Sequence, residues 1–279
     1  MATTVGIIGA GRAGLSLGLA LARADYVVRL YGRRAKPVPP PLTLSTGRLP
    51  AWLAHVDVII LAVPDDAVRG VASDLAASRR VTETQVVLHL SGALDREALS
   101  PLESSGAALG SLHPLQTLSD PQTAPQRLQG AVATVEGDAR AVAIAAALAR
   151  GVGMEPVPIS ADQKPLYHAA AVVASNFVVA LAGVAQRLFV GAGLSDAAAR
   201  KALATLMAGA VENLRAAGPE TALTGPVARG DVETVRRHLE VLHGADAELY
   251  RTLSRAALQL ARLDPERRRA IEELLSSPF

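Results

Sequence analysis

Hydrophobic positions follow different periods in the two halves of the chain. Up to about residue 159, short apolar runs ending in glycine, proline or polar residues alternate with segments of helical periodicity. Such runs are typical of buried parallel strands, and alternating strands and helices predict a parallel sheet covered on both faces. We therefore expect an α/β domain over residues 1–159. The predicted strands are 5–8, 27–31, 56–63, 86–90, 107–112, 131–135 and one near Val157, and the predicted helices include 15–24 and 138–150.

After Ser160 the pattern is helical, and we find no convincing strand. One very long helix is expected over about 161–190, and helix start signals follow it at intervals. Residues 160–279 should therefore form an all-helical domain. The later helices are predicted from Ser195 to Gly218 and from about Asp231, Asp246 and Asp264. At the last of these, Asp264 is the expected N-cap and Pro265 lies in the first turn of the helix.

Composition excludes several classes of function. Half of the residues are hydrophobic but only 3% are aromatic, so the cores must consist of Ala, Val, Leu and Ile. The absence of Cys excludes disulfides, thiolate metal sites and a cysteine nucleophile, and we predict no metal. A net charge of +2 argues against a nucleic-acid partner.

The most membrane-like segment, 169–185, is shorter than the roughly 20 residues of a membrane span and has Ser175 and Asn176 at its middle. We therefore predict a buried helix and no membrane partner. The chain runs into its first strand without a basic leader segment, so the expected location is the cytoplasm.

A glycine-rich turn follows the first predicted strand and opens a helix. It reads Gly9-Ala10-Gly11-Arg12-Ala13-Gly14, which fits G-x-G-x-x-G. In this position the first glycine makes the turn, the second lets the backbone approach a pyrophosphate, and the third packs the helix on the strand. The free N–H groups of the helix then face the phosphates. The sequence predicts a dinucleotide site.

The end of the second strand indicates which dinucleotide is bound. An NAD site needs a carboxylate there for the ribose 2′-hydroxyl, whereas this chain has Arg33 and Arg34. Guanidinium groups suit a 2′-phosphate, so NADP(H) is favoured; a solvated loop pair is the alternative. Backbone at Val63 and Pro64, which end a later strand, should also contact the cofactor.

Two further strands end in polar side chains. Ser91 follows one and His113 the next, and ligands of open α/β sheets bind beyond the carboxyl ends of strands. Both side chains are therefore expected to face the cleft as catalytic residues. The alternative for His113 is a purely local role in the His-Pro turn.

Polar residues also interrupt the long apolar helix. His168, Val172 and Asn176 are four residues apart and share a face, and Lys164 lies one turn earlier. Buried polar groups need partners, and a substrate is one candidate. Bonds within the core or to a second subunit are the alternative. The small apolar residues of this helix also indicate a homodimer.

The chain resembles Rossmann-like proteins whose C-terminal half is a domain of unknown function, related to the 6-phosphogluconate dehydrogenase, β-hydroxyacid dehydrogenase and ketopantoate reductase group. The most specific segments are Ser-Leu-His-Pro-Leu-Gln-Thr at 111–117, Tyr-His-Ala-Ala-Ala-Val-Val-Ala-Ser-Asn at 167–176, and Leu-Thr-Gly-Pro-Val-Ala-Arg-Gly-Asp at 223–231. The resemblance implies a 6-phosphogluconate-dehydrogenase-like helical domain. In the last segment, Thr224 or Arg229 is a candidate to bind a substrate carboxylate.

The resemblance also shows where this chain departs from its relatives. Ketopantoate reductases carry a catalytic Lys and two Asn on the long helix; in that register Asn176 keeps the second Asn, Val172 replaces the first, and His168 stands at the Lys. In the register of β-hydroxyacid dehydrogenases Val172 would instead stand at the Lys, so the usual Lys is absent either way. Prephenate dehydrogenases are similar at Ser91 and His113. The general acid is therefore ambiguous between the two histidines.

These features predict hydride transfer between NADP(H) and a small carbonyl, hydroxy or imine carboxylate, with Lys164, Thr224 and Arg229 as substrate-binding candidates. Two alternatives stay open. One is a nucleotide-binding sensor or scaffold without turnover, and the other is an NADP oxidoreductase linked to a deazaflavin.

Overall fold

The computed structural model describes residues 3–276, and its first part is built on one eight-stranded sheet. The strand order is β3-β2-β1-β4-β5-β6-β7-β8, so the chain winds outward in both directions from β1. This is the doubly wound arrangement that the alternating pattern predicts. The strands are β1 Thr4–Ile8, β2 Val27–Tyr31, β3 Leu44–Ser45, β4 Val58–Leu61, β5 Val86–His89, β6 Ala108–Pro114, β7 Val132–Gly137 and β8 Glu155–Pro158.

The sheet is parallel except where β6 meets β7, which run antiparallel. The predicted parallel sheet is thus confirmed at its other strand pairs, and the antiparallel β6–β7 pair is a feature that the pattern did not indicate. The connection between these strands contains one helix of five residues, Ala124–Leu128, too short to cover a crossover. The reversal places Glu136 opposite Ser111 and Thr134 opposite His113.

Helices and 3₁₀ turns cover both faces of this sheet. Successive strand residues alternate between two cores: Ile60 belongs to the core that contains residues of α1 and α4, and Ile59 and Leu61 to the core with residues of α2. The helices of this part are α1 Arg12–Arg23, α2 Asp65–Ser78, α3 Ala124–Leu128, α4 Ala139–Gly151 and α5 Lys164–Ala174, and the 3₁₀ segments are Ala51–His55, Arg96–Ser105 and Ala161–Gln163.

The single tryptophan of the chain, Trp52, belongs to this sheet domain. Its ring packs so closely on β1 that a methyl group added at Gly6 would lie 2.6 Å from it. Its indole N–H donates a hydrogen bond to Ser45 Oγ on β3, at 3.2 Å. Trp52 is thus fixed beside the β3 edge of the sheet.

The chain divides into two compact units, Met1–Asn176 and Phe177–Phe279. Between residues 159 and 276 the structure contains helices and no strand, as the periodicity predicts. The helices after α5 are α6 Asn176–Gly191, α7 Asp196–Ala222, α8 Pro226–Arg229, α9 Val232–Val241, α10 Gly244–Leu260 and α11 Pro265–Ser276. A small apolar core, with Val235, Leu258 and Ile271 at its centre, joins α8 to α11.

The predicted helix over 161–190 is not continuous. It begins with a 3₁₀ turn, and Ser175, with φ −126° and ψ −70°, separates α5 from α6. The Ser175 hydroxyl lies 3.2 Å from that of Thr117. Along the chain, the first compact unit ends at Asn176, directly after this break, whereas the predicted domain boundary at residue 159 stays a prediction.

Helices α6 and α7 bury almost nothing within one copy of the chain. No residue of α6 is buried, and Ala199 is the buried residue of α7. Exposed side chains include Val179 on α6, 71% exposed, and Leu206 on α7, 63% exposed. By length and composition alone, the helical segment Ala161–Gly191 could cross a membrane. The prediction of a buried helix over 169–185 is wrong within one copy, because no residue of this stretch is buried.

Candidate functional site

A first cleft opens where α1 begins, at the carboxyl ends of the central strands. Its volume is about 510 Å³. Gly11 precedes α1 as its N-cap and supplies no side-chain hydrogen bond, so the first N–H groups of the helix are free to bind an anion. The lining residues are Gly11, Arg12, Ala13, Ala62, Val63, Pro64, Asp65, Leu90, Ser91, Thr117, Leu118 and Ser119.

The three motif glycines have distinct surroundings. A methyl group added at Gly9, where φ is +117°, would lie 2.2 Å from the Ala62 carbonyl oxygen, and one at Gly14 would lie 1.9 Å from that of Gly9. Nothing lies within 4 Å of the same position at Gly11. Ala10 is buried between them. Two glycines are thus needed by the fold, whereas Gly11 faces open space that a pyrophosphate could fill.

The end of β2 lies beside this turn, because the Gly9 N–H donates to the Tyr31 carbonyl oxygen at 2.8 Å. Arg33 and Arg34 follow directly and are exposed. Neither makes an ion pair within residues 3–276. The glycine turn, the uncapped helix and two unpaired guanidinium groups fit a dinucleotide that carries an extra phosphate.

Ser91 lies where the sequence places it, at the end of β5, but its hydroxyl is fully occupied. It donates to Asp65 Oδ2 at 2.8 Å and accepts from the N–H groups of Ala93 and Leu94. One donor and two acceptor positions are all that a hydroxyl offers. In this structure Ser91 lines the first cleft with its hydroxyl bonded within the chain, and its expected catalytic role stays a prediction.

A second cleft, of about 630 Å³, lies between the end of β6 and α5. His113, His168, Val172 and Asn176 all line it, so the break at Ser175 does not separate them. Thr117 lines both clefts, which makes them neighbours. The other lining residues are Pro114, Leu115, Gln116, Tyr167, Ala170, Ala171, Ala174 and Ser175.

Two imidazoles face each other across Gly92 in this second cleft. The ring centres of His113 and His168 are 6.1 Å apart. A methyl group added at Gly92 would lie 2.7 Å from His168 Nδ1 and 2.8 Å from His113 Cε1. Within the described residues, the buried His168 Nδ1 has no hydrogen-bond partner. The chain therefore leaves the hydrogen-bonding capacity of this nitrogen unused.

Burial lowers the pKa of His113 to about 4, and the positive charges of Lys164 and His168 act in the same direction. Burial likewise lowers the pKa of His89, on the neighbouring strand, to about 4. Both imidazoles are therefore uncharged at neutral pH. The Ser91 N–H donates a hydrogen bond to His89 Nδ1, and His89 Nε2 lies 3.0 Å from the Asp95 carbonyl oxygen. The buried His89 ring therefore stabilises the turn that follows β5.

Lys164 does not contact the second cleft, contrary to the expected role in binding substrate. Its side chain is 1% exposed, and its ammonium donates to Ser111 Oγ at 2.8 Å and to the Ser91 carbonyl oxygen at 3.4 Å. Glu136 Oε2 lies 4.0 Å away and also accepts from Ser111. Burial lowers the pKa of Lys164. The lysine thus links α5 to the middle of β6 and to the turn after β5.

Thr224 and Arg229 belong to the second compact unit, where Thr224 precedes α8 and Arg229 ends it, and both are exposed. The Arg229 carbonyl oxygen accepts a hydrogen bond from Arg267 at 3.4 Å. Their role in binding a substrate carboxylate stays a prediction.

Sequence reasoning did not single out Tyr167 or Thr117. The Tyr167 hydroxyl lies 2.7 Å from His113 Nδ1. A spacing signal for Tyr167 was present, since residues three and four apart on a helix share a face and Tyr167 is three residues after Lys164. Thr117 lies in an irregular loop after β6, where no periodicity marks it.

Two family models match successive parts of the chain, and the second begins within the sheet, just before β7. Residues 2–114 match the family model of the Rossmann-like domain, and residues 131–257 match that of DUF2520, a domain of unknown function. No curated protein matches the chain.

Solved structures share the fold over most of the chain. Protein TM1727 from Thermotoga maritima is 27% identical, with a TM-score of 0.71, and the likeness covers 92% of this chain and 98% of that one. BF3122 from Bacteroides fragilis is 22% identical, with a TM-score of 0.73 and the same coverage. A pyrroline carboxylate reductase from Plasmodium falciparum, solved with NADP bound, is 15% identical with a TM-score of 0.59, covering 98% and 95%.

Proposed function

Because the chain combines a Rossmann-like domain with a DUF2520 domain, we propose that it is an NADP(H)-dependent oxidoreductase. Its substrate is a small carbonyl or imine compound, or the corresponding alcohol or amine. Fold relatives at low identity include a pyrroline carboxylate reductase with NADP bound and a reductive aminase in complex with NADPH.

One observation carries the proposal: two clefts of different chemistry adjoin at Thr117. The first offers free helix N–H groups and a glycine that leaves room for phosphates. The second offers two imidazoles and the Asn176 amide. A cofactor in the first cleft and a substrate in the second would both lie beside Thr117.

A nicotinamide cofactor, when bound, supplies or accepts the hydride. The residues of the chain then have two tasks, to orient the reacting carbonyl and to provide a proton. Asn176 can hydrogen-bond a polar group of the substrate. His168 is a candidate proton donor because its Nδ1 is unpaired in the described residues, and His113 lies beside it.

The finer substrate class that we propose is a small carboxylate of the kind that ketopantoate reductases use. Thr224 and Arg229 are the candidates to hold that carboxylate. The lysine that those reductases carry on the long helix is replaced here by His168, so proton transfer would depend on an imidazole.

Binding measurements can test the cofactor assignment. We expect the full-length protein to bind NADPH more tightly than NADH, and the Arg33→Ala/Arg34→Ala double variant to lose roughly tenfold or more in NADPH affinity, because it lacks charge-assisted hydrogen bonds to the 2′-phosphate. NADH affinity should not change. Isothermal titration calorimetry measures both constants.

Arg23→Ala is the matched control, since Arg23 is an exposed arginine at the opposite end of α1. Equal loss of NADPH and NADH affinity in the double variant would contradict the assignment.

A protein that binds NADPH but oxidises it with no member of a broad carbonyl and imine panel would be a sensor or scaffold. An absorbance change with a deazaflavin would instead indicate that cofactor as hydride partner.

We also propose that the chain forms a homodimer through α6 and α7. Their exposed apolar residues form no core within one copy. A lipid partner fits less well, because α7 carries charged residues along its length, including Arg200, Lys201 and Glu212. A second copy offers the same small, apolar helices for close packing.

A further inference from the structure

We propose that Tyr167 is a positioning residue for His113. Its phenol donates a hydrogen bond to His113 Nδ1 and so fixes the ring as the tautomer with its hydrogen on Nε2. His113 then acts as an uncharged hydrogen-bond donor to the substrate oxygen or nitrogen. The role of this pair in catalysis rests on the proposed function, but the tautomer of His113 can be measured without any enzymatic turnover.

The geometry of the pair is that of a directed hydrogen bond. The Tyr167 hydroxyl oxygen is 2.7 Å from His113 Nδ1, and the two rings stand nearly perpendicular at 86°, with centres 5.6 Å apart. Burial raises the pKa of the Tyr167 phenol, against a smaller opposing effect of the Thr134 hydroxyl. The phenol therefore keeps its hydrogen at neutral pH.

The charges that face His113 keep its ring neutral. Lys164 and His168 approach from α5 and His89 from β5, and all three disfavour a second ring proton, whereas Asp65 from α2 favours it. Burial is the largest of these effects and the Lys164 ammonium the next, and together they outweigh Asp65. A neutral imidazole carries one N–H, and its other nitrogen accepts. Since a phenol is the stronger donor and an imidazole nitrogen the stronger acceptor, the hydrogen between them belongs to Tyr167.

This arrangement gives the two histidines of the cleft different tasks. In the reductive direction, hydride adds to the carbonyl or imine carbon and the electron pair of the double bond moves to oxygen or nitrogen. His113 stabilises that atom through its Nε2–H without losing the hydrogen. The proton that completes the alcohol or amine comes from His168, which regains one from solvent.

The second compact unit contains a matched pair that serves as a control. The Tyr250 hydroxyl lies 2.8 Å from His238 Nδ1, the ring centres are 5.6 Å apart, and the rings are at 90°. Neither residue lines the two clefts. Tyr250→Phe removes the same kind of hydrogen bond as Tyr167→Phe, so any effect of losing a phenol on stability alone should be shared by both variants.

The test is an NMR measurement of the tautomers in full-length protein labelled with nitrogen-15 histidine. Two-bond correlations distinguish the two nitrogens of each ring, and His113→Gln identifies the His113 signals among the six histidines. We expect His113 to carry its hydrogen on Nε2 at pH 7. Tyr167→Phe should produce a mixture of tautomers, and Tyr250→Phe should leave His113 unchanged.

The wild-type spectrum alone tests the tautomer, so the test does not depend on the folding of a variant. A hydrogen on Nδ1 in the wild type, or an unaltered His113 signal in folded Tyr167→Phe, would overturn the inference. With a substrate in hand, Tyr167→Phe should lower kcat by roughly tenfold or more while NADPH affinity stays constant. A protein that shows the expected tautomer but no turnover would refute the proposed function and leave the pair intact.

Discussion

At the scale of single residues, the second cleft depends on a glycine whose backbone is unstrained. Gly92 has no positive φ, so its lack of a side chain is required by space rather than by conformation. Both imidazoles come within 3 Å of the place that a methyl group would occupy. The separation of His113 from His168 is therefore set by the absence of one carbon atom between them.

Gly92→Ala should displace at least one imidazole. We expect a loss of kcat on the order of 100-fold, because displacements of about 1 Å have effects of that size, with little change in the affinity for NADPH. Steady-state kinetics and calorimetric titration measure the two quantities. Gly70→Ala is a suitable control, since nothing lies within 4 Å of that position. Wild-type turnover by Gly92→Ala would show that the imidazoles are not held as described.

At the scale of elements, two glycines at the start of α1 have different roles: Gly11 leaves room for a ligand, and Gly14 is required by the fold. Gly11 has φ −69° and open space before it, so alanine can be accommodated in the protein alone. Gly14 is in direct contact with the Gly9 carbonyl, so alanine cannot be accommodated there. Substitution by alanine should therefore lower cofactor affinity at Gly11 and stability at Gly14.

We expect Gly11→Ala to leave Tm unchanged and to lower NADPH affinity at least about tenfold, because the added methyl group occupies space that the phosphates need. Gly14→Ala should lower the free energy of unfolding by about 3 kcal/mol or more, through the steric clash. Thermal and urea unfolding, together with titration, distinguish the two variants. Unchanged NADPH affinity in Gly11→Ala would place the cofactor elsewhere.

The strand and helix pattern could be predicted because it depends on local burial. Apolar runs located all strands except β3, whose two residues are too few to show a period. The direction of β7 could not be predicted, since β6 and β7 have the same apolar character whether paired parallel or antiparallel. The break at Ser175 was also hidden, because it involves a contact with Thr117, 58 residues earlier.

The location of a cleft residue could be predicted where a strand end or a motif fixes the backbone, but not where side chains from distant parts of the sequence contact one another. Gly11 and His113 were expected to face a cleft because they follow or end strands, and they line the first and second clefts respectively. Lys164 was placed on the correct helix but turns into the sheet, where Ser111 and Glu136 neutralise the cost of burying it. Glu136 comes from the antiparallel strand, so this partner depended on a strand direction that sequence could not supply.

At the scale of the whole molecule, α6 and α7 leave several large apolar side chains exposed in one copy of the chain. Val179→Glu and Leu206→Glu place carboxylates on this surface, and each should convert a dimer into monomers because burying an unpaired charge is strongly unfavourable. Sedimentation equilibrium measures the mass. Val241→Glu, at an exposed valine that ends α9, is the control.

A wild-type protein that sediments as a monomer would contradict the proposed homodimer. Association of that monomer with phospholipid vesicles, lost in Val179→Glu, would assign the surface to lipid instead.

Trp52 provides a fluorescence probe that reports on one of the two compact units. The chain has one indole, and it lies against β1 and β3 in the unit that holds the glycine turn. Its fluorescence therefore senses melting of the sheet alone, whereas circular dichroism near 222 nm is dominated by the helices of both units. Differences between the two melting curves would measure, without any label, how far the two units unfold together.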